Sequence, residues 1–252
     1  GGPPGRVLSA SGRCQKDKGC IGSADLAYYD MDVGLRFHRR PMLVESAQLQ
    51  IKLNSRRLRI VDVRPGAEYA KGHIPGAVRV DVGDWKTQAV AERGLHDSEG
   101  WAKRIAALGI SRDTHVVVYG NRVSNSARIW WLLKYVGVTD VSLIDGGWDT
   151  WVREDRPVDT STPQVTSSKF TPNFQVDRLA EIDSVKESLT SRSVKGVDTR
   201  SDDEFTGGRV PGSVHLEWKH LLADDGRFKT HRQLKTLFRE QGILPADTAV
   251  CY

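Results

Sequence analysis

Val61-Asp-Val-Arg-Pro-Gly-Ala-Glu-Tyr-Ala-Lys-Gly-His-Ile-Pro-Gly-Ala77 and Val197-Asp-Thr-Arg-Ser-Asp-Asp-Glu-Phe-Thr-Gly-Gly-Arg-Val-Pro-Gly-Ser213 align without a gap. Asp62 stands opposite Asp198, Arg64 opposite Arg200, Glu68 opposite Glu204 and Tyr69 opposite Phe205. Asp113-Thr114 before one strand and Asp247-Thr248 before Ala249-Val-Cys-Tyr252 extend the match downstream. Self-similarity of this kind marks a tandem duplication. In each copy a carboxylate at a strand end can accept backbone N–H bonds, and an arginine two residues on can meet it as a planar fork. Pro75-Gly76 and Pro211-Gly212 are turn dipeptides. Taken alone, the repeat reads as scaffold.

Outward from the first copy, Leu58 to Val63 reads as a short strand. Val116 to Tyr119 is a β-branched run with no polar face, as in a parallel sheet covered by helices on both sides. Trp101 to Leu108 reads as a helix stopped by Gly109. A second helix, capped by Ser124 or Asn125, carries Ile129, Leu132, Leu133 and Val136 at helical spacing and closes at Gly137. Val141 to Ile144 is the next strand. Strands alternating with helices predict an α/β fold of mainly parallel sheets flanked by helices. The predicted organisation is an irregular leader over 1–40, a unit over 41–157, a linker rich in Asp, Pro, Thr and Ser over 158–173, and a second unit over 174–252.

The 252 residues are too many for one ordinary domain and suit two of modest size. Hydrophobic residues at 38% allow a buried core, and charged residues at 27% with mixed sign argue against disorder. No run of about 18 apolar residues exists to span a bilayer. Lys and Arg exceed Asp and Glu by 37 to 32, a net +5 that favours small anions. The charge is spread rather than gathered in a stripe, so neither nucleic acid nor membrane is an expected partner. Cys14, Cys20 and Cys251 make neither a disulfide framework nor a four-ligand zinc set. Cys14 and Cys20 fall in the leader, which reads as a flexible tail. Reduced thiols in a cytoplasmic setting are the default expectation, with a removed targeting peptide left open by the start at Gly1.

The pattern Val-Asp-Val-Arg-x4-Tyr-x3-His-Ile-Pro-Gly-Ala over 61–77, with Leu143-Ile-Asp-Gly-Gly-Trp-Asp-Thr-Trp151, resembles the rhodanese homology domain. The duplicated layout over 43–252 resembles the two-domain thiosulfate and 3-mercaptopyruvate sulfurtransferases. The resemblance implies a nucleophilic cysteine directly after the fourth strand, usually behind a Tyr or Thr. Its loop and helix N-terminus would stabilise a thiolate and then a persulfide. It further implies transfer of a sulfane sulfur from thiosulfate or 3-mercaptopyruvate to cyanide or a thiol. The partners are then small anionic donors and those acceptors, and no metal or organic cofactor is needed.

In the first copy Gly120 occupies the cysteine position, which implies a silent unit. Its loop, with Gly120, Asn121, Arg122, Ser124 and Arg128, is either plain surface or the relic of an anion cradle. In the second copy the cysteine is expected directly after Tyr252, so the chain is expected to stop ahead of its active-site loop and to be inactive as given. Cys251 is the alternative nucleophile, though a thiol within a strand is more often a small buried hydrophobe. By resemblance Asp198 and Arg200 support the active-site loop. Arg209, grouped with them as active-site support, replaces the histidine seen at His73, and Glu204 stands where some sulfurtransferases carry a substrate-contacting Arg. His73 reads as structural, and Trp130, Trp131, Trp148 and Trp151 as core and interface packing. The competing reading is a non-catalytic interaction or regulatory module.

Overall fold

The computed structural model describes residues 41–188, 190 and 194–252; the leader, with Cys14 and Cys20, lies outside them. The first unit runs β1 (Leu43–Val44), α1 (Ser46–Lys52), β2 (Leu58–Asp62), α2 (Gly66–Lys71), β3 (Val78–Arg79) and α3 (Val82–Val90). It continues with α4 (Ser98–Ala107), β4 (His115–Tyr119), α5 (Val123–Tyr135), β5 (Val141–Ile144) and α6 (Gly147–Arg153). The strands form one parallel sheet in the order β1-β5-β4-β2-β3.

The unbroken β-branched run of β4 explains its central place. All five of its residues are buried. Successive side chains point to opposite faces, so Val116 and Val118 join one core with Trp101, Ile105, Ile129 and Leu133. Val117 and Tyr119 join another, with Leu49, Ile60, Ile74 and Trp151. The side chains of both faces are packed in apolar clusters, and the one polar residue of β4 other than Tyr119, His115 at its start, lies 3.1 Å from the Ser142 hydroxyl of β5.

The second unit holds α7 (Ile182–Ser188), β6 (Val194–Asp198), α8 (Asp202–Gly207), β7 (Val214–His215), a 3₁₀ turn over Trp218–Leu221, α9 (His231–Glu240) and β8 (Thr248–Cys251). Its parallel sheet is β7-β6-β8. Leu58 pairs with His115 and Val61 with Val118 in the first unit. Val194 pairs with Thr248 and Val197 with Cys251 in the second. The sequence repeat is therefore a repeat of register, with Tyr252 equivalent to Tyr119 and Cys251 to Val118.

Two helix starts differ from the sequence reading. Asp97 accepts the Gly100 N–H at 2.9 Å and starts α4 at Ser98, ahead of its apolar stripe. Helix α5 begins at Val123 behind Arg122, with no side-chain cap, so Ser124 and Asn125 lie in the helix and cap nothing. The expected linker has no helix or strand, yet it is strapped to the first unit. The Ser168 and Asn173 N–H groups donate to the carbonyls of Ala106 and Val136 at 3.0 Å each. Phe170 and Phe174 pack on the first core.

The units also touch through side chains. Asp145, after β5, accepts the Phe228 N–H at 2.8 Å, and Arg153 donates to the Asp225 carbonyl at 3.1 Å. Arg227 pairs with Glu154. Burial pushes the Asp145 carboxyl above the usual carboxylate range.

Candidate active site

Open parallel sheets offer a crevice at the carboxyl ends of their strands, and the repeated residues gather there. Asp62 ends β2, and its Oδ1 accepts the Arg64 N–H at 2.8 Å. The Arg64 guanidinium returns from Nε to Oδ1 at 3.1 Å and from Nη2 to Oδ2 at 2.6 Å. Nη2 also donates to the Gly72 carbonyl at 2.7 Å, fixing the end of α2. The Tyr119 hydroxyl donates to Asp62 Oδ2 at 2.6 Å and accepts the Ile74 N–H at 3.1 Å. Burial, then the Asp62 carboxylate, push the Tyr119 phenol up, so it stays a donor. One knot thus ties β2, β4 and the turn before β3.

The second unit ties the same knot. Arg200 donates to Asp198 from its backbone N–H and Nε at 3.0 Å each and from Nη2 at 2.6 Å, and its Nη2 reaches the Gly208 carbonyl at 2.7 Å. The Tyr252 hydroxyl accepts the Val210 N–H at 2.9 Å. The Arg200 fork holds the Asp198 carboxyl below the usual range. Sequence reading found the Asp and Arg of each knot and missed the tyrosines. The signal was present, since each of the two aligned strands ends in Tyr.

Other candidates fall in varied places. His73 is fully buried, with Nδ1 at 2.9 Å from the Tyr69 carbonyl and Nε2 at 3.0 Å from the Ser161 carbonyl, and its ring stacks on Tyr69. In the second unit the Arg209 guanidinium lies 4.6 Å from the Phe205 ring centre, so a cation over an aromatic takes the place of that stack. Glu204 closes a capping box with Ser201 at the start of α8. Trp151 is fully buried, while Trp130 and Trp131 sit at the edge of the first core. Trp148 lies under Arg64, 3.8 Å from its ring centre, and lines a shallow depression with Glu68, Lys71 and Val158.

After β4, the carbonyl of Gly120 accepts the Trp148 N–H at 2.9 Å. A Cβ on Gly120 would lie 2.8 Å from Val63 Cγ2 and 3.1 Å from Ser126 Oγ. The neighbours have closed over the space a cysteine needs. Asn121 donates to Glu68 at 2.9 Å, Arg122 and Arg128 are exposed, and Ser124 is half-buried, so the loop side chains do not converge on one point. Gly120→Cys is expected to destabilise the first unit by about 1–3 kcal/mol through overpacking. A urea midpoint equal to that of the unaltered chain would contradict the closure.

Cys251 is exposed, contrary to the buried thiol expected of a strand interior. The register explains it. Val118, its equivalent, packs in the cluster that includes Ile129 and Leu133 of α5, and Cys251 has no such cover among the described residues. Solvent reaches the residue, yet the protein around the sulfur pushes the thiol up from its ordinary value. Alkylation by iodoacetamide is expected to be slower at pH 7 than for a free cysteine and still to accelerate above about pH 9. A fast reaction at low pH would mark an activated thiolate instead.

Comparison with known proteins matches these features to a family. Residues 45–154 match the rhodanese-like domain. The thiosulfate sulfurtransferase of Corynebacterium glutamicum is 32% identical over 232 residues, covering 83% of this chain and 76% of that protein. The chain belongs to the rhodanese family. Other relatives include the sulfur carrier protein TtuD of Thermus thermophilus, 31% identical over 84% of this chain and 81% of its own length. Human 3-mercaptopyruvate sulfurtransferase is 27% identical over 70% of this chain and 64% of its own length. The crystal structure of SseA from Escherichia coli shares the fold with a TM-score of 0.74 at 23% identity, covering 84% of this chain and 88% of SseA. Within this rhodanese chain, no helix among the described residues is long and apolar enough to cross a membrane.

Proposed function

We propose that the protein is a sulfurtransferase. It moves a sulfane sulfur from thiosulfate or 3-mercaptopyruvate to cyanide or a thiol through a cysteine persulfide carried by the second unit. The observation that carries this reading is the register. It makes Tyr252 the counterpart of Tyr119, so the counterpart of Gly120, where the family bears its nucleophile, is the position following Tyr252. Asp198 and Arg200 then hold the strand end from which the nucleophile's loop departs. Cys251 is two residues early, inside β8, with a thiol pushed up rather than down.

The chemistry is a double displacement. A cysteine thiolate attacks the outer sulfur of thiosulfate, the S–S bond breaks, and sulfite leaves with its electron pair. The resulting persulfide anion is attacked at its outer sulfur by cyanide. Thiocyanate leaves and the thiolate returns. Small anionic donors agree with a net +5 chain.

The test is to treat the natural protein with thiosulfate and map the added sulfur by peptide mass spectrometry, then release it with cyanide. Sulfur on a cysteine directly after Tyr252 is the expected result. Sulfur on Cys251 would overturn the assignment of the nucleophile. No thiosulfate-dependent sulfur on any cysteine would favour a rhodanese-like docking or regulatory module.

A further inference from the structure

Helix α9 is the second unit's counterpart of α4, and the two differ on one side. Their caps, Asp97 and Thr230, and the glycines just past their ends, Gly109 and Gly242, align without a gap, and both glycines take a positive φ, 67° and 69°. Ile105 and Phe238 share one position, each packed on its own unit's core. At three other positions Glu99, Ala102 and Ala106 of α4 are matched by Arg232, Lys235 and Arg239. At 3.6 residues per turn these cations fall within an arc of about 60° and span about 10 Å along the axis. Leu237 and Phe238, which pack on the second core, lie on the other side of α9, so the stripe is turned outward. Arg232 and Arg239 are exposed and Lys235 is half-buried. None of the three has an ion pair or a side-chain hydrogen bond among the described residues, whereas Arg104 of α4 pairs with Asp84.

The stripe burdens the helix that carries it. Arg232 sits in the first turn, where the free N–H ends disfavour a cation, and no acidic residue accompanies it there. Glu99, at the same place in α4, is favoured by those ends. Arg232 and Lys235 are three residues apart and Lys235 and Arg239 four, so like charges repel along the row. Carboxylates laid across it relieve both penalties. The first copy shows that a helix at this position can receive an extended chain. The segment joining the units reaches α4 at Ala106, whose carbonyl takes the Ser167 hydroxyl at 3.1 Å and the Ser168 N–H at 3.0 Å. Arg239 stands at the Ala106 position, and among the described residues no strap crosses α9 there.

We propose that the outer side of α9 is a docking surface for an acidic polypeptide segment of a partner protein. An extended chain covers about 10 Å in about three residues, so a short run of Asp and Glu matches the row Arg232, Lys235 and Arg239. Nucleic acid fits less well, since three cations meet only about three phosphates and no aromatic ring stands among them to stack a base. A membrane surface needs an apolar helix side turned outward, and here Leu237 and Phe238 are committed to the core. The inference is independent of the sulfurtransferase reading, in which α9 has no chemical part.

The test is binding of a short fluorescein-labelled poly-L-glutamate to the full chain at low salt, read by fluorescence anisotropy. The unaltered chain binds it, and more weakly as salt is added. Replacing Arg232, Lys235 and Arg239 together by Gln is expected to weaken binding about tenfold, the sum of three exposed charge pairs. Replacing Lys52, Lys86 and Lys103 together by Gln removes the same charge from scattered exposed positions and leaves binding nearly unchanged. Arg232→Glu supplies a second readout. It raises the melting midpoint, because the first turn regains a favoured charge, while binding of poly-L-glutamate falls. A variant that merely damaged the helix would lower both. No binding by the unaltered chain, equal losses in the two triple variants, or a lowered midpoint with Arg232→Glu overturns the docking surface. Duplex DNA or phosphatidylserine vesicles held more tightly than poly-L-glutamate, and released by the α9 triple variant, overturn the choice of partner.

Discussion

Asp62→Ala is expected to lower the stability of the first unit by about 3–5 kcal/mol, the range for removing one partner of a buried ion pair. Asp62 is fully buried and the Arg64 side chain is 2% exposed. Without the carboxylate, the guanidinium loses its bonds from Nε and Nη2 to Asp62 and keeps the one to the Gly72 carbonyl, and the Tyr119 hydroxyl loses its acceptor. Water cannot reach either group to compensate. A folded domain has only about 5–15 kcal/mol of stability in total, so the variant should unfold at far lower urea. Asp198→Ala breaks the corresponding knot with a smaller loss, because the Arg200 side chain is 34% exposed and can be rehydrated. Asp62→Ala with Arg64→Met should recover part of the loss, since the stranded charge is gone. Urea unfolding of the three variants decides it. Equal shifts for Asp62→Ala and Asp198→Ala, or a double variant no better than Asp62→Ala, would contradict the burial argument.

Trp151→Ala is expected to cost about 3–5 kcal/mol, the usual range for emptying a buried tryptophan site. The side chain is fully buried among Leu49, Ile60, Ile74 and Tyr119. Its Nε1–H donates to the Pro157 carbonyl at 2.8 Å, so the substitution leaves both a cavity and an unpaired carbonyl. The loss should appear as a lower melting midpoint, while thiosulfate binding measured well below that midpoint changes little. An unaltered midpoint, or binding lost in a chain that is still folded, would move Trp151 from the core to the site.

Much of this architecture can be read from residue patterns. The run Val116 to Tyr119 predicts a strand buried on both faces, and β4 is one. The helix over Ile129 to Val136 is predicted by its spacing, but its start is not. Ser124 and Asn125 are good capping residues, yet the helix starts behind Arg122, beside a backbone pinned by bonds from the Val63 N–H to the Tyr119 carbonyl and from the Trp148 N–H to the Gly120 carbonyl. Those contacts come from distant segments and leave no local trace. In the site, Asp198 and Arg200 are legible because each repeats at a fixed spacing. Tyr119 and Tyr252 join them only through strand register, which links residues far apart in the chain. The exposure of Cys251 follows from what packs on its sheet face, and that lies outside any local window.

The segment that joins the units is held along its course. It has an isolated bridge from Asp159 to His73, bonds to the ends of α4 and α5, and two phenylalanines in the first core. A protease meets this stretch as part of a folded surface and not as a slack tether. Cleavage within it must wait for local peeling, and a nicked chain should keep its halves together until denaturant is added.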